Sequence, residues 1–426
     1  MSQHPTRHTN AAITNPAITN DDRYSRQILF PGIGATGQHL LASAHVAIVG
    51  IGATGAASAA LLARAGVGTL TLIDRDFVEP SNLQRQILFD ETDARESLPK
   101  AEAARRKIAL FNSTVTVHPR IADLVPANIH ELLTPADTTP VDLILDATDN
   151  FETRYLLNDF CVQQSIPWIY AAAIGAYAAT MNILPVHSPH NPADRNSRHG
   201  TDQGTDRDIE GRHSGPERAE RVEGEEPPHL SLRTERSDVP IKNTYAPTAC
   251  LACIFPKPPT GPVETCDTAG ILSTAVNLAA SIQVTEALKL LTRQSHLMRR
   301  TLLSFDLWNP TGQNSLDRSE INTGTPNPDC AVCAHRQFIH LAGIGRPHIT
   351  LCGRNSVQIH EHHRPVDFAA MRDRLLPHGA VRFNDLLLRF ERPPHTLTLF
   401  PDGRALIQGT TDITLARSLY ARFIGS

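Results

Sequence analysis

At 426 residues, with 41% hydrophobic content and a formal net charge of −4, the chain can bury a large core and hold one big domain with a smaller one beside it. The near balance of acids and bases leaves no broad basic footprint for nucleic acid, and the polar start lacks the apolar stretch of a secretory signal or membrane span. The expectation is a cytoplasmic protein with no nucleic-acid or membrane partner. Its seven cysteines, four of them in two Cys-x-x-Cys pairs, suit metal and thiol chemistry in a reducing compartment better than disulfides.

Residues 1–21 read as a disordered N-terminus. From 45 to 74 the order is apolar strand, glycine turn, alanine-rich helix and a second apolar strand ending in Asp74. That is a βαβ unit, the first half of a Rossmann-like, doubly wound, mostly parallel α/β sheet. Apolar runs at 114–117, 143–145 and 168–173 alternate with helical stretches and carry the parallel-sheet reading to about residue 185. The stretch 187–244 is rich in Arg, Glu, Asp, Gly, Pro and His and poor in large apolar residues, so it cannot offset its own ordering entropy. It reads as a disordered insertion, tolerated rather than used as a lid. Order resumes near Tyr245, with a helix over 271–291 and a strand around 302–305. The large domain is expected to span 22–335. In the tail, alternating residues at 396–400 and 404–408 flank Pro401-Asp402-Gly403, where Gly403 supplies the positive φ of a tight hairpin. With helical periodicity at 368–376 and 415–423, this makes a small α+β domain over 347–426.

The glycine turn Gly50-Ile51-Gly52-Ala53-Thr54-Gly55 follows the first strand and opens the helix. The backbone can therefore approach a phosphate closely and set it at the helix N-terminus, while Asp74 suits ribose hydroxyls. A nicotinamide-dependent oxidoreductase fits those features as well as an ATP enzyme does. The next stretch separates the two: Asp76, Asn82, Arg85, Gln86 and Lys100 put two cations beyond the carboxyl edge of the sheet. Such cations neutralise triphosphate oxygens and stabilise departing pyrophosphate. Taken singly, Arg85 or Lys100 would read as a solvated surface charge. Asp149, at the end of a later strand, reads as a magnesium ligand, and either it or Asn150 also suits a helix N-cap.

Together with Arg23-Tyr24-Ser25-Arg26-Gln27, the stretch Glu79-Pro80-Ser81-Asn82-Leu83-Gln84-Arg85-Gln86, Pro99-Lys100-Ala101, Ala147-Thr148-Asp149-Asn150 and the two cysteine pairs, the sequence resembles the ThiF/MoeB/HesA group of ubiquitin-activating-enzyme-like adenylyltransferases over about 22–335, minus the insertion. The resemblance implies ATP contacts from Asp74, Asn82, Arg85 and Lys100 and magnesium at Asp149. It also implies a two-fold homodimer in which Arg26 reaches the neighbouring subunit's site, so that a monomer is inactive. The implied partner is a ubiquitin-like sulfur carrier protein, ThiS- or MoaD-like, whose Gly-Gly carboxylate is adenylated for sulfur transfer in thiamine or molybdopterin synthesis. Departures from the pattern are Ala53 in the turn, Ser97 where glycine is usual before Pro-Lys, and Ala179-Thr180 for a frequent Gly-Gln pair. A catalytically inactive scaffold would keep the zinc pairs and lose Arg85, Lys100 and Asp149.

Cys250-Leu251-Ala252-Cys253 and Cys330-Ala331-Val332-Cys333 form two chelating halves of a closed four-thiolate site for structural zinc. Cys266 lies just before the long helix, whose N-terminus favours the thiolate. In the resembling family the matching cysteine is implicated in an acyl-persulfide or thioester, and the alternative is a small apolar filler. Cys161 and Cys352 read as structural, and His360-Glu361-His362-His363 as a solvated loop rather than a metal site.

Overall fold

The computed structural model describes residues 19–136, 138–186, 245–259, 269–308, 317–344, 349–352, 356–359, 366–401 and 403–425. The insertion at 187–244, Cys266, Asp402 and the run 360–363 lie outside these residues.

Helices α1 (Asn20–Ile28) and α2 (Gly34–Ser43) lead into β1 (His45–Val49), α3 (Ala53–Ala65) and β2 (Thr69–Ile73). Next come α4 (Glu91–Arg95), α5 (Lys100–Phe111), β3 (Thr116–Arg120), α6 (Ile129–Leu133) and β4 (Leu143–Asp146). Helix α7 (Phe151–Gln164) precedes β5 (Trp168–Ile174) and β6 (Tyr177–Ile183), followed by α8 (Leu251–Ile254), α9 (Ser273–Leu291), β7 (Thr301–Asp306) and β8 (Asp317–Asn322). The tail holds β9 (Ile349–Cys352), β10 (Ser356–Ile359), α10 (Phe368–Leu375), β11 (Ala380–Phe383), β12 (Leu388–Arg392), β13 (His395–Leu399), β14 (Ala405–Gln408) and α11 (Ile413–Phe423).

The first sheet runs β3-β2-β1-β4-β5-β6-β7-β8. Pairing is parallel from β3 through β5. The strand order reverses at β1, and the crevice beyond the carboxyl ends of β1 and β4 is where ligands bind in such sheets. Every residue of β1 is buried, which fits a parallel strand covered on both faces. Alanine-rich α3 lets α9 pack close, with Ala56, Ala59 and Ala63 sharing one core with Val284, Ala287 and Leu291. Within that apolar layer Gln283 is fully buried. Its amide nitrogen donates to the carbonyls of Asp146 and Ile169, both at 2.8 Å, and its oxygen accepts from Ser58 Oγ at 3.0 Å. Those bonds fix the crossing helix to the ends of β4 and β5.

Three boundaries differ from the sequence reading. Residues 20 and 21 belong to α1, because the Thr19 hydroxyl accepts from Asp22 N–H and caps the helix earlier than the polar composition suggests. The parallel pattern ends at β5, and β6, β7 and β8 are antiparallel. Only Gly175 and Ala176 separate β5 from β6, with Gly175 at φ +58°. A two-residue connection of that kind makes a hairpin, whereas a parallel crossover needs a dozen residues. The long helix starts at Ser273, after Ile271 bridges to Gly175.

The tail forms a separate six-stranded antiparallel sheet, β11-β12-β13-β14-β10-β9, with α10 and α11 packed on it around Phe390, Leu397, Ile407, Tyr420 and Phe423. The hairpin read from the sequence is β13–β14, and Gly403 has φ +88°.

Replacing Gln283 by Ala strands two buried carbonyls, so urea denaturation is expected to show a loss of about 2–4 kcal/mol. An unchanged midpoint would contradict the bridging role.

Candidate functional site

The three turn glycines do different jobs. Gly50 has φ +87°, and a Cβ there would sit 2.7 Å from the Ala147 carbonyl oxygen. At Gly55 a Cβ would meet the Gly50 carbonyl at 1.8 Å, whereas at Gly52 nothing lies within 4 Å. Gly50 and Gly55 thus allow close packing, and Gly52 leaves open space beside the start of α3, whose N-cap makes no side-chain bond. A phosphate fits such a place.

Asp74 directly follows β2 and is held from both sides. Its carboxylate accepts from Ile51 N–H at 2.5 Å and from Asp76 N–H at 2.7 Å. Burial raises its pKa above the ordinary value, opposed by Lys100. Lys100 is 2% exposed, and its ammonium lies 2.9 Å from the Asp76 carboxylate. The Asp76 side chain keeps 34% of its accessibility, so the pair opens toward solvent on one side. Arg85 is also buried and donates to the Ser81 carbonyl at 2.8 Å. Neither cation is a solvated surface charge.

A short 3₁₀ turn, Pro80–Asn82, carries the second half of the group. Asn82 is fully buried, and its side-chain oxygen accepts from Glu79 N–H at 3.0 Å. The backbone N–H groups of Arg85 and Gln86 both donate to the Asn82 carbonyl. Two buried polar atoms here, Asn82 Nδ2 and Gln86 Oε1, have no hydrogen-bond partner. Orphans of this kind are costly unless a ligand completes them. Ser97, just before this lysine, sits at φ +49°, a conformation that favours glycine.

Among the described residues, Arg26 and Asp149 make no hydrogen bond or ion pair with this group. Arg26 is exposed on α1, and Asp149 is exposed just before Asn150, whose side chain caps α7 by accepting from Thr153 N–H at 2.8 Å. The cap is therefore Asn150, leaving the Asp149 carboxylate outside the helix.

Sequence reading missed the buried pair behind Asp149. Asp146 is fully buried at the end of β4 and lies 3.3 Å from the Arg154 guanidinium, which also donates to the Thr148 carbonyl. Arg154 sits over the rings of Phe151 and Tyr170. Burial raises the Asp146 pKa, and Arg154 opposes the rise. The available signal was an acid at a strand end eight residues ahead of an arginine on the following helix. Thr180, at one departure from the family pattern, is tied internally by the Arg299 guanidinium at 2.5 Å.

The four paired cysteines converge. Their sulfurs all lie within 4.8 Å of one another, with contacts of 3.8 Å for Cys250–Cys253, 3.6 Å for Cys250–Cys330 and 3.4 Å for Cys253–Cys333. Sulfurs about 2.3 Å from a tetrahedral zinc stand about 3.8 Å apart, so the cluster fits that ion. Hydrogen bonds among the four thiols lower the pKa of Cys253 and Cys330 and raise that of Cys250, so the cluster favours thiolates at two of its positions. Cys250 begins α8 against Asn158 of α7, so the cluster joins that helix to the turn at 330–333. Cys161 is fully buried, as its reading as a core residue requires. No described helix is long and apolar enough to cross a membrane.

Comparison with known proteins places this geometry among relatives. Residues 24–332 match the ThiF family. The chain is 37% identical over 407 residues to the sulfur carrier protein ThiS adenylyltransferase of Bacillus subtilis, covering 95% of this chain and 99% of that one. It is 30% identical to the sulfur carrier protein adenylyltransferase of Thermus thermophilus, over 73% of this chain and 90% of that one. Among solved structures, E. coli MccB with MccA-N7isoASN superposes with a TM-score of 0.51 at 19% identity, covering 74% of this chain and 75% of that one. That last likeness concerns the fold alone.

The cysteine cluster generates a direct expectation. Purified protein should carry about one zinc per chain, and Cys330→Ala should lose it and melt at lower temperature. Metal analysis showing no zinc in the unaltered protein, with its melting point insensitive to chelator, would contradict the assignment.

Proposed function

Because the chain belongs to the ThiF family, we propose that it is an ATP-dependent adenylyltransferase that activates the C-terminal Gly-Gly carboxylate of a ubiquitin-like sulfur carrier protein, ThiS- or MoaD-like. The observation that carries this reading is the burial of Lys100, paired with Asp76 just beyond the end of β2, and of Arg85, which shares its turn with unpartnered Asn82 Nδ2 and Gln86 Oε1. A redox site for a nicotinamide has less use for a pair of cations there than a triphosphate site does. ATP supplies ribose hydroxyls for Asp74, and its β and γ oxygens match the lysine and arginine.

A carboxylate is a poor electrophile until it carries a better leaving group, and AMP is that group. In the proposed step the carrier's terminal carboxylate oxygen attacks the α-phosphorus, the bond to the β-phosphate oxygen breaks, and pyrophosphate departs with the electron pair. No proton moves, so no general base is needed. Lys100 and Arg85 stabilise the charge that builds on the leaving group, and the open space at Gly52 receives the phosphates at the start of α3. Asp149 is the residue of this chain that would hold magnesium, which would neutralise charge on the triphosphate. The exposed Arg26 acts in trans in a two-fold homodimer, and the Cys266 thiolate attacks the activated carbonyl, forming a thioester as the bond to AMP breaks and AMP departs, ahead of sulfur transfer. Zinc at the four cysteines is structural, and the enzyme works in the cytoplasm.

Mixing the protein with ATP, magnesium and a candidate carrier should yield an acyl-adenylate by mass spectrometry. Lys100→Ala should lower its rate at least about a hundredfold, while Cys266→Ala leaves adenylation intact and blocks sulfur loading. Adenylate formed at full rate by the lysine variant would overturn the site assignment. Arg26→Ala and Lys100→Ala proteins, each inactive alone, should regain roughly a quarter of full activity when mixed and reassorted, because half the dimers then hold one intact site. No recovery from a verified heterodimer would exclude action in trans.

A further inference from the structure

Resting on that reading, we infer that the C-terminal antiparallel sheet is a brace for the ATP site, with Leu387, Phe400, Arg404 and Leu406 as positioning residues. Two backbone hydrogen bonds, which together make the Phe77–Pro99 bridge, tie the segment after β2 to the start of α5: Lys100 N–H donates to the Asp76 carbonyl at 2.9 Å, and Val78 N–H donates to the Leu98 carbonyl at 2.8 Å. The backbone that presents Asp76 and Lys100 to each other is therefore one unit, and Phe77 is its side-chain anchor.

That anchor is buried by the other sheet. Phe77 is 4% exposed and shares a small apolar cluster with Leu387, Phe400 and Leu406, set apart from the cores of both sheets. Arg389 lies over the Phe77 ring at 5.2 Å. A second contact reaches the neighbouring strand end, where Ile121 packs on the cluster and its carbonyl accepts from Arg404 at 3.1 Å. Ile121 directly follows Arg120, whose carbonyl accepts from Asp74 N–H at 3.1 Å. Arg75 pairs with Asp123 at 3.1 Å across the same two segments. The tail thus grips both loops that flank Asp74, and none of its gripping residues belongs to the nucleotide group itself. Side chains on mobile loops lose most of their value for binding, and a shift of an ångström is enough to degrade it.

The test uses the full-length protein, with calorimetric titration of ATP in the presence of magnesium. Leu387→Ala removes a cluster member remote from ATP and is expected to weaken ATP binding roughly five- to tenfold at unchanged stoichiometry. Arg404→Gln, a milder change, is expected to weaken it roughly threefold. Leu387→Met should restore tight binding because it refills the cluster. A merely structural role would instead lower the binding-competent fraction and leave the dissociation constant alone. Wild-type affinity in both Leu387→Ala and Arg404→Gln would overturn the brace while leaving the adenylyltransferase reading intact. Absence of ATP binding in the unaltered protein would overturn that reading and the brace with it.

Discussion

A lysine buried just beyond the end of β2 sets the terms for everything around it. An ammonium with 3% of its side chain exposed must be paired, and Asp76 at 2.9 Å is that pair. Keeping such a group in place demands a rigid frame, which the chain supplies through the Phe77–Pro99 bridge, the grip of Ile51 and Asp76 N–H on Asp74, and the close packing of Gly50 against Ala147.

The frame is redundant in a physically sensible way. Gln283 ties the helix behind the turn to the ends of β4 and β5, while Arg154 holds the end of β4 from inside through Asp146 and the Thr148 carbonyl. Four converging sulfurs secure α8 against α7 on the far side of the insertion. Each device replaces an otherwise loose junction between elements with a fixed one. An enzyme acting by charge placement needs that more than it needs a reactive side chain.

Much of this was legible in the sequence for reasons that can be named. The βαβ unit announced itself because an all-buried strand, a glycine turn and an alanine helix each obey a local rule. The β13–β14 hairpin did too, through Gly403. The cysteine pairs were legible because chelation imposes spacing. What escaped depended on residues distant in sequence. The reversal at β6 was set by a two-residue turn hidden among small apolar residues, and the Asp146–Arg154 pair looked like one acid and one ordinary helical arginine. Contact between the tail and Phe77 left no local pattern, since Leu387, Phe400 and Leu406 read as routine apolar positions of their own strands and loop. The burial of Lys100 likewise could not be derived from composition: its place after Asp74 and the family resemblance marked it as a ligand for ATP, and taken singly it read as a solvated charge.

Whether these cations grip a triphosphate is decided by equilibrium titration of the unaltered protein with ATP and with NAD, each with and without magnesium. Magnesium-dependent ATP binding that Lys100→Ala abolishes is expected, with negligible uptake of the dinucleotide. Tight NAD binding alongside no magnesium-dependent affinity for ATP would contradict the adenylyltransferase assignment.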